Sequence, residues 1–240
     1  MIFAGILAGG SGTRMKITDM PKQFLMLGSK PIIIHSIEKF LLTSRIDVIY
    51  LGVNKEWLEY CYKLINQYIK EDCYRNKIKI ISGGKDRTTT LMNIVYDIEK
   101  NYKNSEENII LTHDAVRPFV SLRIIEENIE MALKYDACGT AIPCTDTIVE
   151  SIDNTIISNI PNRNILYRGQ SPQTFKLSLL KTLYEQLEDD EREILTDACK
   201  MCVLKNKKAY LVQGDPINFK ITTMSDYNIA KAIVNQEENI

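Results

Sequence analysis

The chain has 240 residues, 45% hydrophobic and 25% charged, a balance that supports one large domain with a full core. Its 30 basic and 31 acidic residues give a formal net charge of −1, so it lacks the basic excess that nucleic-acid binding needs. No apolar run reaches the roughly 20 residues of a membrane helix, and residues 1–7 lack the basic start of a signal peptide. We therefore expect a cytoplasmic protein that binds neither nucleic acid nor membrane.

The first half of the chain alternates short apolar segments with amphipathic segments of helix length. Apolar runs predict strands at 2–7, 46–53, 77–82 and 108–112. Apolar residues at helical spacing predict a helix that opens at Pro31, and further helices at 56–69, 88–100 and 122–134. Because apolar strands alternate with helices, we expect a parallel sheet covered by helices on both faces.

The second half is less regular. After a core strand at 137–142, two short segments at 146–151 and 155–160 flank a turn-forming Asp-Asn pair and predict a β-hairpin. Helices follow at 178–187 and 196–204, then a strand at 209–212, a loop at 213–219 and a closing helix from residue 225. We predict a single domain over residues 1–240, with a β-hairpin arm at about 143–170 as a candidate dimerisation element.

A glycine-rich segment, Leu7-Ala-Gly-Gly-Ser-Gly-Thr-Arg-Met15, directly follows the first predicted strand. Glycines let the backbone approach a ligand closely and turn several N–H groups toward one point, which suits a triphosphate. A loop after the first strand lies at the carboxyl end of the sheet, where α/β folds bind ligands. The segment matches neither the P-loop nor the dinucleotide-binding pattern. By itself, it is equally compatible with a tight turn.

Two cations and a second glycine loop favour a ligand site. Arg14, and Lys22 within Pro21-Lys-Gln23, place positive charge beside the first loop, where it suits a phosphoryl transition state. The segment Gly83-Gly-Lys-Asp-Arg-Thr-Thr-Thr90 follows the third strand in the same way and predicts a second ligand loop. The alternative there is a helix N-cap formed by Asp86 or Thr88, and the two interpretations are compatible.

The segment Thr112-His-Asp-Ala-Val-Arg-Pro118 follows the next strand. Asp114 at a strand end is a natural magnesium ligand beside a triphosphate, because Mg²⁺ prefers carboxylate and phosphate oxygens. His113 is predicted to be structural, since attack of a phosphate on a phosphate needs no base. Cys199 and Cys202 have CxxC spacing but no second ligand pair, so they predict a buried helix face, and the six cysteines are expected to be reduced.

Taken in order, these motifs resemble the cytidylyltransferases that make CDP-alcohols. The resemblance covers nearly the whole chain. It implies a Rossmann-like nucleotidyltransferase fold of the α/β class, with a mixed, mostly parallel sheet and a protruding β-arm. It also implies CTP and a polyol phosphate as substrates, Mg²⁺ as cofactor and a homodimer as the assembly.

The resemblance further implies roles for individual residues. CTP would be held by Leu7, Ala8, Gly9, Gly10, Gly83, Gly84, Asp86, Arg87, Thr88 and Thr89. The catalytic cations would be Arg14, Lys22 and Lys220, and the metal ligand Asp114. The polyol phosphate would contact Arg163, Thr147, Thr196 and Lys220. In a homodimer, Arg163 would serve the neighbouring subunit's site. Asp215 is either a second metal contact or part of a turn, and Thr196 has a helix N-cap as its alternative role.

Two branches of this family differ in the acceptor. One transfers CMP to D-ribitol 5-phosphate and yields CDP-ribitol for teichoic acid or capsule polymers; the other uses 2-C-methyl-D-erythritol 4-phosphate in isoprenoid synthesis. The later motifs are similar to the ribitol branch nearly residue for residue, at Ile160-Pro-Asn-Arg163, Tyr167–Phe175, Ile194–Lys200 and Phe219–Thr223. Sugar-1-phosphate nucleotidyltransferases share the glycine-rich opening but usually place their lysine in another motif. A non-catalytic nucleotide-binding subunit is the remaining alternative.

Overall fold

A computed structural model of the chain describes residues 1–10, 20–103 and 105–238. The strands are β1 (Ile2–Ala8), β2 (Met26–Leu27), β3 (Lys30–Pro31), β4 (Val48–Val53), β5 (Ile78–Ser82), β6 (Ile109–Asp114), β7 (Ala137–Pro143), β8 (Tyr167–Lys176) and β9 (Tyr210–Gln213). The α-helices are α1 (Ile32–Leu41), α2 (Leu58–Tyr68), α3 (Asp72–Arg75), α4 (Arg87–Asn101), α5 (Leu122–Tyr135), α6 (Leu177–Glu185), α7 (Asp189–Glu193), α8 (Cys199–Leu204) and α9 (Met224–Glu238).

Seven strands form one sheet in the order β5-β4-β1-β6-β8-β7-β9, while β2 and β3 form a small separate ribbon. The pairs β5/β4, β4/β1, β1/β6 and β7/β9 are parallel, and only β8 runs antiparallel to its two neighbours. The predicted mixed, mostly parallel sheet is therefore confirmed. Because β5, β4, β1 and β6 are parallel, their carboxyl ends meet at one edge of the sheet.

Helices cover both faces of the sheet, as the apolar strands predict. Successive side chains of a strand point to opposite faces, and β1 supplies both cores. Ala4 and Ile6 pack with residues of α1, α2 and α5. Phe3 and Leu7 pack with residues of α4, α6 and α8. Burial on both faces explains why these strands are apolar throughout instead of alternating with polar residues.

The longest strand, β8, was not predicted from the sequence. Several of its buried side chains are polar, and their polar groups form hydrogen bonds. Thr174 Oγ1, for example, donates to Asn128 Oδ1 at 3.1 Å, and Gln173 Oε1 accepts from the Ala198 N–H at 3.0 Å. Because these buried residues are polar, the sequence of β8 lacks the apolar run that predicts a buried strand.

The predicted hairpin requires a correction. The segment 144–166, called the arm below, contains one isolated bridge between Glu150 and Asn159 in place of the strands predicted at 146–151 and 155–160. The turn at its tip is present, because Asp153 Oδ1 accepts from the N–H groups of Thr155 and Ile156, each at 2.9 Å. Residues 167–170, predicted to be part of the arm, instead begin β8 of the main sheet. Among the described residues, no neighbouring strand extends the pairing of the arm.

Candidate active site

A cavity of about 530 Å³ opens at the carboxyl ends of β1, β4, β5 and β6. Its described lining residues are Leu7, Ala8, Gly9, Gly10, Lys22, Gln23, Asn54, Lys55, Gly83, Gly84, Lys85, Asp86, Arg87, Thr90, Asp114, Ala115, Val116 and Lys220. The lining contains five cations and two carboxylates, so the cavity suits a polyanionic ligand. Its place at the strand ends follows from the parallel sheet.

Gln23 hydrogen-bonds to the backbone of the first glycine loop. The buried Gln23 Nε2 donates to the carbonyl oxygens of Ala8, at 2.7 Å, and Gly10, at 3.1 Å. Among the described residues, no atom lies within 4 Å of a Cβ added at Gly10, and Gly10 itself lines the cavity. Lys22 also faces this cavity, while Arg14 lies outside the described residues.

The second glycine loop ends in the cap of α4. The Asp86 carboxylate accepts from the Thr89 N–H at 2.7 Å, and Thr89 Oγ1 in turn accepts from the Asp86 N–H at 3.0 Å. Burial opposes the charge of Asp86, but the hydrogen bonds from Thr89 outweigh it and lower the pKa of that carboxyl group. The positive end of the 15-residue helix thus lies at the cavity.

Thr90 lies against both glycine loops, since a Cβ added at Gly9 of the first loop would lie 3.2 Å from its hydroxyl oxygen. Its buried hydroxyl accepts from the Gly84 N–H at 3.0 Å and donates to the Asp86 carbonyl at 2.7 Å. A Cβ at Gly83 would lie 3.0 Å from the same oxygen. Thr90 therefore lines the cavity, whereas Thr88 and the capping residue Thr89, both predicted to bind CTP, do not. The other eight residues predicted to bind CTP are all in the lining.

Asp114 forms the centre of a cluster of opposite charges on the cavity floor. The Arg87 Nε atom donates to Asp114 Oδ1 at 3.1 Å, and Lys220 Nζ lies 2.9 Å from Oδ2. Arg117 Nε lies 3.6 Å from Oδ2. Burial alone would raise the pKa of Asp114, but these three cations outweigh it and hold the pKa well below its usual range. The carboxylate is therefore charged at any physiological pH.

His113 lies beneath Asp114 and is fully buried. Its Nε2 atom is 3.1 Å from the Arg117 carbonyl, which can only accept, so Nε2 carries the proton. Its Nδ1 atom then accepts from Ser171 Oγ at 3.1 Å. Burial lowers the pKa of His113 to about 4. A neutral, fully bonded ring under the cavity agrees with the predicted structural role.

The donor set of the cavity fits one Mg²⁺ ion that is shared with phosphate oxygens. Of the two carboxylates in the described lining, Asp86 is committed to the helix cap, which leaves Asp114. Across the described part of the chain, no group of three or more His, Cys, Asp or Glu side chains forms a metal cluster. Mg²⁺ commonly takes one or two carboxylates and completes its octahedron with substrate phosphates and water, so a single carboxylate beside a phosphate site is sufficient.

The structure does not bring the predicted acceptor residues into this cavity, apart from Lys220. Arg163 and Thr147 are exposed on the arm, where Arg163 Nη1 donates to the Thr145 carbonyl at 2.9 Å. Thr196 is exposed in the loop before α8 and does not cap that helix, whose N-cap is Ala198.

The remaining motif residues have structural roles. Asp215 stabilises a turn by accepting from the Ile217 N–H at 2.9 Å, so the turn interpretation holds in the structure. Cys202 is buried on α8, where burial raises the pKa of its thiol to about 11. Both observations agree with the structural interpretation of these motifs.

Asn54 and Lys55 line the cavity without a role predicted from the sequence, and Lys85 and Thr90 were predicted only as members of the second ligand loop. Asn54 and Lys55 directly follow β4, the strand next to β1. The signal available for them was position alone, since every parallel strand of the sheet should contribute its following loop to the same edge. For Thr90 the signal was helical spacing, because Arg87 and Thr90 are three positions apart and share one face of α4.

A mostly parallel α/β sheet whose carboxyl edge carries two glycine loops, clustered cations and charged carboxylates is typical of a nucleotide-binding enzyme of the nucleotidyl-transfer class. The family model of 2-C-methyl-D-erythritol 4-phosphate cytidylyltransferase (IspD) matches residues 2–236. The chain therefore belongs to this cytidylyltransferase family, which confirms the family predicted from the motifs.

Individual relatives agree with this assignment. The ribitol-5-phosphate cytidylyltransferase of Streptococcus pneumoniae serotype 2 is 47% identical, over 99% of this chain and 100% of that protein. The solved 4-diphosphocytidyl-2C-methyl-D-erythritol synthase of Anaerococcus prevotii is 26% identical with a TM-score of 0.79, over 98% of this chain and 96% of that one. The Francisella tularensis 2-C-methyl-D-erythritol 4-phosphate cytidylyltransferase shares the fold, with a TM-score of 0.79 at 22% identity, over 96% and 98% of the two chains.

Within the described residues, no helix is long and apolar enough to span a membrane.

Proposed function

We propose that the protein transfers CMP from CTP to D-ribitol 5-phosphate, giving CDP-ribitol and pyrophosphate. The observation that carries the choice of acceptor is the 47% identity over nearly the full length to an enzyme named for ribitol 5-phosphate. Four solved structures whose names contain methyl-D-erythritol are 20–26% identical to this chain. The cavity supports the nucleotide half of the proposal, because its cations and helix terminus suit a triphosphate.

In the proposed reaction, a phosphate oxygen of ribitol 5-phosphate attacks the α-phosphorus of CTP, and the bond from that phosphorus to the β-phosphate oxygen breaks. Lys22 and Lys220 neutralise negative charge that grows on the α-phosphate and on the departing pyrophosphate. Arg14 is proposed to do the same from the first glycine loop. Mg²⁺, which Asp114 would hold, supplies further positive charge to the phosphate oxygens when it is bound.

The three cations around Asp114 prepare the site for this chemistry. Two polyanions must approach each other, and a floor that carries Arg87, Arg117 and Lys220 against one carboxylate keeps net positive charge next to the cavity. Fixed charges in a partly buried site need no reorganisation as the reaction proceeds, which is why they stabilise a transition state better than water does.

A pyrophosphate-release assay tests the acceptor. CTP would be combined in turn with D-ribitol 5-phosphate and 2-C-methyl-D-erythritol 4-phosphate, and UTP and ATP would serve as controls for the base. We expect turnover with CTP and ribitol 5-phosphate, loss of turnover with EDTA and recovery with Mg²⁺. Faster turnover with the erythritol substrate would reject the proposed acceptor and leave the family assignment intact.

The second part of the proposal concerns assembly: residues 1–240 form one catalytic domain that works as a homodimer through the arm. The arm exposes large apolar side chains, with Ile152 at 93% and Ile165 at 73% exposure. An exposed apolar surface of this kind is typical of a protein interface. Arg163 projects from the same arm, which supports a role for it in the partner subunit's site.

Subunit mixing tests this assembly. Lys22→Ala and Arg163→Ala proteins would each be inactive alone. If Arg163 acts on the partner's site, mixed dimers contain one intact site, because the Arg163→Ala subunit retains Lys22 and receives Arg163 from its partner. We expect activity to return on mixing. No recovery, although mixed dimers are demonstrated by tagged co-purification, would place Arg163 at its own subunit's site or outside the reaction.

For the use of the product, we propose cytoplasmic synthesis of CDP-ribitol for teichoic acid or capsule polymer, as the resemblance implies. Deletion of the gene should then remove ribitol phosphate from the cell-surface polymer and leave isoprenoid levels unchanged. A loss of isoprenoids with unchanged polymer would point to the erythritol branch.

A further inference from the structure

Asn218 is fully buried, does not line the cavity and lies two residues before Lys220 in the loop between β9 and α9. We propose that Asn218 is a positioning residue for the reaction, which acts by fixing the Lys220 amine at the cavity floor. The inference rests on the proposed function, since it assigns Lys220 a part in transfer. Neither the sequence motifs nor the cavity lining singled out Asn218.

The side chain of Asn218 joins its loop to β8. The Asn218 Nδ2 group donates to Gln170 Oε1 at 3.2 Å and to the Ser171 carbonyl at 2.9 Å. Gln170 extends the connection, because its own Nε2 donates to the Asp215 carbonyl at 2.8 Å. Both amides are almost completely buried, so these hydrogen bonds do not compete with bulk water.

The backbone on both sides of Lys220 is held by the turn that follows β6. The Asn218 carbonyl accepts from Arg117 Nη1 at 2.8 Å, and the Ile221 N–H donates to the Val116 carbonyl at 2.9 Å. Lys220 lies between these two attachments, and its Nζ reaches Asp114 at 2.9 Å. A lysine side chain is long and has many rotamers, so fixing its backbone limits the positions that the amine can occupy.

Both members of the Asp114–Lys220 ion pair depend on the same residue of β8. The Ser171 carbonyl holds Asn218, while the Ser171 hydroxyl accepts from the Asp114 N–H at 3.1 Å. The loop that carries the amine and the strand end that carries the carboxylate therefore share an anchor. Removing the Asn218 amide frees only the side that carries Lys220.

The chemistry of the position explains why an asparagine fits. Two carbonyl-type oxygens, from Gln170 and Ser171, face its Nδ2 group. An amide offers two N–H donors without a charge. An aspartate would place a carboxylate against two acceptors. A leucine of similar size would remove the donor to the Ser171 carbonyl and leave Gln170 Oε1 with only the Asp215 N–H, at 3.3 Å.

The test compares Asn218→Leu with Asn128→Leu. Asn128 is a buried amide in α5 that donates to the Ile124 carbonyl and to Thr140 Oγ1, outside the cavity lining. Both variants should lose thermal stability. We expect Asn218→Leu alone to lower kcat, by about 10- to 100-fold, because a displacement of about 1 Å at a reacting group can cost that much. The dissociation constant for CTP should change less than kcat, because Lys220 is proposed to act on charge that grows during transfer.

A double-mutant cycle separates positioning from a general loss of structure. In a Lys220→Ala background, Asn218→Leu should cause no further loss of kcat, because its effect passes through Lys220. Losses that multiply, or an Asn218→Leu protein with wild-type kcat, would overturn the inference. If Asn218→Leu does not fold, Gln170→Met removes one of the same hydrogen bonds and takes its place. A wild-type protein without turnover would count against the proposed function instead.

Discussion

The cavity floor and the arm differ in how far their side chains are buried and paired. On the floor, buried charges and amides are cross-linked, so Asp114, Lys220 and His113 each have defined partners. The arm carries large exposed isoleucines and a single isolated bridge. The difference shows that one chain by itself builds the cation-lined cavity, which is proposed to bind the nucleotide. The predicted acceptor residues Arg163 and Thr147 lie on the part of the described chain that one copy leaves exposed.

The largest expected effect concerns the cavity to which the floor belongs. Lys22→Ala should lower kcat by about 100- to 1000-fold while the protein remains folded, because removal of one charge-stabilising group commonly costs that much. Steady-state pyrophosphate release measures the change, and circular dichroism checks the fold. Lys100→Ala is the matched control, since Lys100 is exposed at the far end of α4, roughly 20 Å from the cavity. Near wild-type turnover of Lys22→Ala would remove the catalytic assignment.

The next effect concerns the folded state of the floor. Burial lowers the pKa of His113 to about 4, below the value of about 6.5 for an unfolded histidine. The unfolded chain therefore binds a proton first as the pH falls, so the stability contributed by neutral His113 is complete above pH 6.5 and is lost between pH 6.5 and 4. The loss should be about 3 kcal/mol.

Denaturant unfolding of wild type and His113→Asn, without added divalent cations, measures this effect. Other groups titrate in both proteins and cancel. The stability difference between the two should be largest near pH 7 and shrink toward pH 4. A constant difference across that range would show that His113 does not stay neutral in the fold.

The third effect concerns the arm. Ile152→Asp together with Ile165→Asp should weaken the proposed dimer, because each buried isoleucine contributes about 1.5–3 kcal/mol. Sedimentation across a concentration series measures the dimer dissociation constant, with Leu42→Asp as a control at an exposed apolar residue outside the arm. An unchanged dissociation constant would remove the arm from the interface.

The smallest expected effect distinguishes a helix-capping role of Thr89 from a role in ligand binding at the second glycine loop. Thr89→Val removes the hydroxyl that accepts from the Asp86 N–H, so the free energy of unfolding should fall by about 0.5–1 kcal/mol. The KM for CTP should stay unchanged, because Thr89 does not line the cavity. A large rise in that KM at constant stability would restore Thr89 as a CTP ligand.

Much of the cavity could be predicted because its residues follow buried strands. An apolar run predicts a parallel strand, and the loop after that strand must reach the carboxyl edge of the sheet. Leu7 to Gly10, Gly83, Gly84 and Asp114 were found in this way, and Lys220 by family resemblance. Thr88 and Thr89 were also predicted to bind CTP but lie outside the cavity lining, because sequence adjacency does not show which side of a capped first turn faces inward.

The sequence by itself determined the mostly parallel sheet, the glycine loops at its edge and the family. These features depend on hydrophobic periodicity and local motifs, which lie within short segments of the chain. Only the tertiary structure decided which polar residues are buried together. The strand β8, the charge cluster on Asp114 and the Asn218–Gln170–Ser171 network join segments up to about a hundred residues apart in the chain. Burial of such groups is costly unless distant partners supply hydrogen bonds and opposite charges. The local sequence pattern does not show which residues those partners are.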